Sequence, residues 1–260
     1  LGSEERVSAF TRDDLYAYWH HMYSPKCAVL AIAGHYDWEQ VAALAEKHLL
    51  SWNAGERYAR DTQTHAVRPA RLAREKDVEQ MNLCLGFPGV AIGEKRSYAF
   101  SVVNSVLGGS MSSRLFQKIR EESGLAYSIY SYPNSYTDCG LTTIYAAARP
   151  ESLGQVVDMT LKEVRALAQK GMTRAEFAMA RQQLKAGYIL GQESTSARMN
   201  AAGRRLLLLN RTRSEEEVIQ AIDSLTFEGV NELAKELLSV EPSVALVGKG
   251  AEKALKALDI

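Results

Sequence analysis

Cysteine, proline and net charge are all in short supply in this chain of 260 residues, and each shortage excludes something. The three cysteines, Cys27, Cys84 and Cys139, are odd in number, far apart, and set in or beside apolar strand-like stretches. That pattern rules against a disulfide scaffold and predicts buried thiols rather than bridges or metal ligands. Lysine plus arginine equals aspartate plus glutamate at 31 each. No net field draws the chain to nucleic acid or to an anionic membrane, and neither is expected as a partner. No apolar run approaches the ~20 residues that cross a bilayer. The opening LGSEERVSAF lacks a basic-then-apolar leader pattern and is expected to be a cut end, so the compartment stays open between bacterial cytoplasm and periplasm.

What is present is an ordinary core-forming composition, 46% hydrophobic and 24% charged. Thr11 is placed to cap a helix over RDDLYAYWHHMY that Pro25 stops. The run CAVLAIAG has strand length and ends at Gly34, and Asp37 with Gln40 opens the helix WEQVAALAEKHLL. The same order returns near the other end: Thr226 caps FEGVNELAKELLS, Pro242 stops it, SVALVG is the strand, and AEKALKAL resumes helix. A repeated ending implies a duplication, with most of the first copy missing. Residues 1–52 are therefore expected to be the tail of a first half, 53–77 a polar, Arg-rich linker, and 78–260 a second half.

Within the second half, Met81, Leu83, Leu85 and Phe87 alternate as a half-buried strand. Ala99, Val102, Val103, Val106 and Leu107 follow helical spacing up to Gly108-Gly109. Ser113 is expected to cap a short helix with Leu115, Phe116 and Ile119 inward and Gly124 at its end, and residues 125–148 form a hairpin. Pro150 opens a helix carrying Leu153, Val156, Val157, Leu161, Val164 and Leu167, and Thr173/Glu176 and Ser214/Glu217 are capping boxes. The fold class is α+β: a mixed, largely antiparallel sheet with helices packed on one face.

Chemistry-bearing motifs are mostly missing. The histidines are His20, His21, His35, His48 and His65, and none forms H-x-x-E-H or its inverse, so a catalytic zinc site with about three protein ligands is not visible. His20, His21 and His35 read as surface histidines. Gly108-Gly109 with Ser110, Ser112 and Ser113 lacks the Walker lysine and the G-x-S-x-G elbow, so helix punctuation outweighs a phosphate cradle or a nucleophile.

One stretch remains, LGGSMSSRLFQKIREESGLAYSIYSY, and with DLYAYWHHMYSPKCAVLAIAGHYDWEQVAALAEKHL and FEGVNELAKELLSVEPSVALVGKG it resembles the non-catalytic half of the pitrilysin/insulinase family of zinc peptidases. That family includes mitochondrial processing peptidase and the core subunits of the respiratory bc1 complex. The resemblance implies a clamshell of two homologous halves, one holding zinc and the other closing over a peptide substrate. The helix in the zinc-helix position, RSYAFSVVNSVLGG, has no histidine or glutamate where ligands would stand. No cofactor is expected in this chain, and zinc is expected in the missing catalytic half, or in a homologous subunit, as its partner; a homodimer stays open. The family's R-x6-Y pair falls on Arg120 and Tyr127, which the resemblance casts as substrate- and oxyanion-binding groups. Spacing alone is better served by a solvated helix-end arginine and a tyrosine filling the sheet. The alternatives are a structural or assembly subunit related to the respiratory core proteins, or an inactive subunit pairing in trans with a zinc-bearing partner.

Overall fold

The computed structural model describes residues 2–52, 68–258 and 260. The chain divides into two compact units, Leu1–Thr62 with Leu190–Thr212, and Gln63–Ile189 with Arg213–Ile260. His65 and the first fifteen residues of the expected linker lie outside the described residues.

The second unit is built on a five-stranded sheet: β1 (Arg71–Glu75), β2 (Met81–Pro88), β3 (Ala126–Ser135), β4 (Gly140–Ala148) and β5 (Ser243–Gly248), in the order β1-β5-β2-β4-β3. β1 runs parallel to β5 and every other pairing is antiparallel. Alternation decides the faces. Leu83, Leu85, Phe87, Ile144, Val244 and Leu246 point into the core, and α4 (Ser97–Leu107), α5 (Leu153–Lys170) and α9 (Phe227–Leu238) cover them with Val102, Val106, Val157, Val164, Leu233 and Leu237. Each such side chain contributes about 1.5–3 kcal/mol when fully buried. Helices on one face of a mixed sheet is the expected fold class.

Capping fixes where the helices start. Thr226 accepts from Gly229 N–H, Ser214 forms a reciprocal box with Glu217 at the start of α8 (Glu215–Asp223), and the Thr173 and Glu176 side chains each accept the other's backbone N–H.

Three local expectations are corrected. Residues 71–75, assigned to the linker, are strand β1. Arg71 donates to the carbonyl of Leu255 in the last turn of α10 (Ala251–Ala257) and to those of Leu258 and Ile260 beyond it, and Glu75 accepts from Gly250 and Glu252 N–H at its start. Ser113 does not cap: its hydroxyl donates to Ser110 O at 2.5 Å. Cys139 is exposed in the β3–β4 turn and Cys84 is half-buried, because β2 turns Cys84 to the sheet face opposite the core; all three thiols are free.

The first unit contains α1 (Glu4–Ala9), α2 (Arg12–Met22), α3 (Trp38–Leu49) and α7 (Thr195–Leu209). Thr11 and Asp14 form the capping box of α2, and Asp37 caps α3. Residues 28–33, expected as a strand, alternate half-buried and exposed as a strand would, yet pair with no strand among the described residues. Among the unit's described residues only Ser24 is buried, while Trp38 is 68% and Leu30 62% exposed. The amphipathic patterns are there without a surface to cover them.

Candidate functional site

The end of α4 sets the site's position. Gly108 carries the last turn against the sheet edge: its carbonyl accepts from Ser131 N–H at 3.0 Å, and a Cβ on Gly108 would come within 2.6 Å of that nitrogen. The chain turns through Gly109–Ser113 and re-enters helix, where Phe116–Glu122 adopts π-helical rather than α-helical geometry. Single-turn π segments arise from an extra residue in a helix and occur frequently at functional sites. Leu115 and Ile119 are fully buried and fasten the segment to the core, whereas Phe116, expected inward, is half-buried at the surface.

Gly124 then reverses the chain at φ 61°, a left-handed conformation glycine adopts freely. The corner is closed by Gly124 N–H donating to Arg120 O and Leu125 N–H to Ile119 O. β3 begins with a second irregularity: Ala126 faces Ala148 but Ser128 faces Ala147, so Tyr127 is the extra residue of a β-bulge. Bulges re-aim a side chain and cluster beside functional sites.

Arg120 therefore sits on a π segment and Tyr127 on a bulge, one on each side of the same corner. Arg120 is about half exposed, with its guanidinium 4.9 Å from the Phe116 ring and an ion-pair contact of 4.0 Å to Glu121. Tyr127 is 75% exposed. Among the described residues no hydrogen bond joins the two side chains, and both are solvent-accessible. Neither side chain fills the interior.

Two cations of the same segment are differently placed. Arg114 reaches Glu176 through two hydrogen bonds of 2.6 and 2.8 Å and also donates to Gly171 O. The Arg114 hydrogen bonds hold the Glu176 carboxyl at about 2, far below the usual carboxylate value, against the opposing effect of burial. Lys118 meets Glu163 at 2.5 Å. Sequence reading missed these contacts, though a signal existed: Glu163 falls within the buried stripe Val156, Val157, Thr160, Leu161, Val164, Leu167 of α5.

The sheet face away from the helices carries an aromatic row beside the corner. Tyr130 lies 5.1 Å from Tyr145 and 5.8 Å from Tyr132, and the Tyr145 hydroxyl donates to Asn82 Oδ1 at 2.7 Å. Burial, then the neighbouring Tyr130 and Cys84, pushes the Tyr145 hydroxyl's pKa up.

Donors for a metal do not gather. Among the described residues no group of three His, Cys, Asp or Glu side chains is placed to hold an ion. α4, the helix that the family resemblance sets in the place of a zinc helix, buries Ala99, Phe100, Val102, Val103, Val106 and Leu107. His20 and His48 line a cleft of about 630 Å³ in the first unit with Trp19, Tyr23 and Trp52, but two imidazoles do not make a catalytic zinc site. The described residues offer no donor set that fits zinc.

Residues 9–184 match the family described as the peptidase M16 inactive domain. The chain is 37% identical over 247 residues to "Uncharacterized zinc protease YmxG" of Bacillus subtilis, covering 95% of this chain and 60% of that protein. It is 35% identical over 262 residues to "Uncharacterized zinc protease MT2852" of Mycobacterium tuberculosis, covering 97% of this chain and 59% of that protein. The chain thus spans about three fifths of the relatives it matches. Among solved structures, a protease from Helicobacter pylori superposes with a TM-score of 0.81 at 20% identity, over 95% of this chain and 61% of that one. A chain of complex III2 from Candida albicans does so with a TM-score of 0.77 at 17% identity, over 98% and 64%; at such identities these two likenesses show the fold. With a family match over most of its length and relatives named as zinc proteases, the chain belongs to the peptidase M16 family and carries its inactive domain.

Proposed function

We propose that this chain is the non-catalytic C-terminal portion of a zinc metalloendopeptidase, closing a substrate chamber whose zinc belongs to a catalytic half of the same protein or to a homologous subunit. Residues 1–52 are the tail of that catalytic half, which accounts for large apolar side chains left without cover, Trp38 and Leu30 among them. Arg120 and Tyr127 bind the peptide substrate. A guanidinium and a phenol both donate hydrogen bonds, so they serve a scissile carbonyl in the ground state and the oxyanion that grows from it. Such a donor is worth about 2.7 to 4 kcal/mol when it strengthens in the transition state.

The observation that carries the reading is the pairing of two backbone irregularities at one corner: the π segment under Arg120 and the bulge at Tyr127. The test uses the protein with both halves present. Arg120→Ala and Tyr127→Phe each lower kcat/KM by about 10²–10³, while stability changes by no more than about 0.5 kcal/mol, as for surface positions. Unchanged kcat/KM in both variants would remove the assigned roles.

The likeness to a chain of complex III2 supports a second reading, an assembly subunit in which the fold persists without peptidase activity. The two readings part at the same variants, since an assembly subunit loses binding to its neighbours through other surfaces and is indifferent to Arg120 and Tyr127.

A further inference from the structure

The short helix that contains the π segment, residues 114–122, carries three cations within seven residues, and they are divided by what faces them. Arg114 and Lys118 are committed to carboxylates on α6 (Arg174–Gly191) and α5, while Arg120, about half exposed, lies over the Phe116 ring with only a 4.0 Å contact to its neighbour Glu121. The Glu163 side chain is only 7% exposed and the Lys118 side chain 47%, so the pair joins a nearly buried carboxylate to a cation that stays partly in water. A buried carboxylate is costly unless paired. It is also unnecessary for packing in a stripe otherwise made of Val, Leu and Thr. Arg114 adds its own charge toward Glu163, and Ser123 Oγ donates to Lys118 O at 2.6 Å, tying Lys118 to the last turn before Gly124.

We infer that Glu163 is a positioning residue: through Lys118 it locks the register of the π segment and so sets the direction of the Arg120 guanidinium, with Glu176 and Arg114 anchoring the segment's other end. This rests on the proposed role of Arg120. The cost of an extra residue in the helix is held by two ion pairs rather than by apolar packing alone, because a π turn relaxes to α geometry once its register is free. Glu163 touches no substrate; it acts through Lys118 and the backbone.

Hydrogen exchange in this chain tests the clamp without any activity. The amides to follow are Gly124 and Leu125, which donate to Arg120 O and Ile119 O across the end of the π segment. In Glu163→Gln both should exchange about tenfold faster or more, with β2 and α5 amides unchanged, as expected of a local opening. Lys118→Arg, which keeps the charge, should retain the original rates. Unchanged exchange at Gly124 and Leu125, or acceleration spread evenly over the whole chain, overturns the inference. Should Glu163→Gln fail to fold, Lys118→Gln probes the same contact from its half-exposed side.

In the two-half protein a double-mutant cycle separates positioning from general stability. Glu163→Gln added to Arg120→Ala should cost no further kcat/KM, because the group it aims is gone; losses that multiply overturn the inference. If Arg120→Ala alone leaves turnover intact, the role of Arg120 falls, and the exchange rates alone decide whether Glu163 holds the segment.

Discussion

An ion pair drawn largely out of water answers to pH in a way that a surface pair does not, and Arg114 with Glu176 is of the first kind. Their side chains are 15% and 25% exposed. Glu176 drops from 4.5 to about 2 on folding, chiefly through the Arg114 hydrogen bonds and then the Thr173 amide. A lowered carboxylate stabilises the fold above its unfolded value, and that contribution disappears as pH falls from about 4.5 toward 2. Urea midpoints measured from pH 5 to pH 2 should therefore decline more steeply in the parent chain than in Glu176→Gln. At pH 7 the variant should be less stable by about 1.5–3 kcal/mol, the worth of hydrogen bonds to a charged group. Parallel profiles for the two chains would refute the assignment. Gly108 makes a steric prediction of a different sort. Its φ is −159°, which any residue adopts, so the constraint is space and not strain. Gly108→Ala should cost about 1–3 kcal/mol by pushing α4 off the β3 edge, read from the urea midpoint.

At the scale of elements, what the sequence made legible was local. The caps at Thr11, Asp37, Ser214 and Thr226 each involve a residue and an amide three positions on, so short-range reading was enough. Strand β1 was illegible for the opposite reason: Arg71 and Glu75 have their meaning through residues about 180 positions later, at the two ends of α10. A polar segment that looks like a linker is a helix clamp, its cation at the negative end of α10 and its anion at the positive end. The prediction is that Arg71→Met speeds hydrogen exchange in the last turn of α10 and leaves β5 amides unaltered; equal protection in both chains would show that apolar packing of Leu255 suffices. The candidate pair was legible through the family resemblance and not from its spacing, and its two irregularities were not legible at all, because an inserted residue leaves composition and periodicity almost unchanged. Cys139 was misjudged since an apolar strand beside it says nothing of the turn it occupies.

For the molecule as a whole, the two units differ in kind. The second has a continuous core from sheet and helices; the first has helices with no buried residue. Native-state exchange should separate them, with β5 protected near the global limit and the equivalent segment 28–33 exchanging close to the unprotected rate. Comparable protection in both segments would mean the first unit has found a cover of its own. Elemental analysis should find less than stoichiometric zinc in the purified chain, which follows from donor chemistry; one tightly held zinc per chain would contradict it.

The unpaired stretch at 28–33 has one practical effect. A row of backbone donors and acceptors that meets no strand among the described residues, and that carries Leu30 and Ile32, is a template for a neighbour's chain, so concentrated solutions should cloud or form β-rich oligomers, and Leu30→Lys should keep them clear. The β3 edge of the sheet is guarded against the same fate: Ser131 has already given its N–H to Gly108, and Pro133 has none to offer.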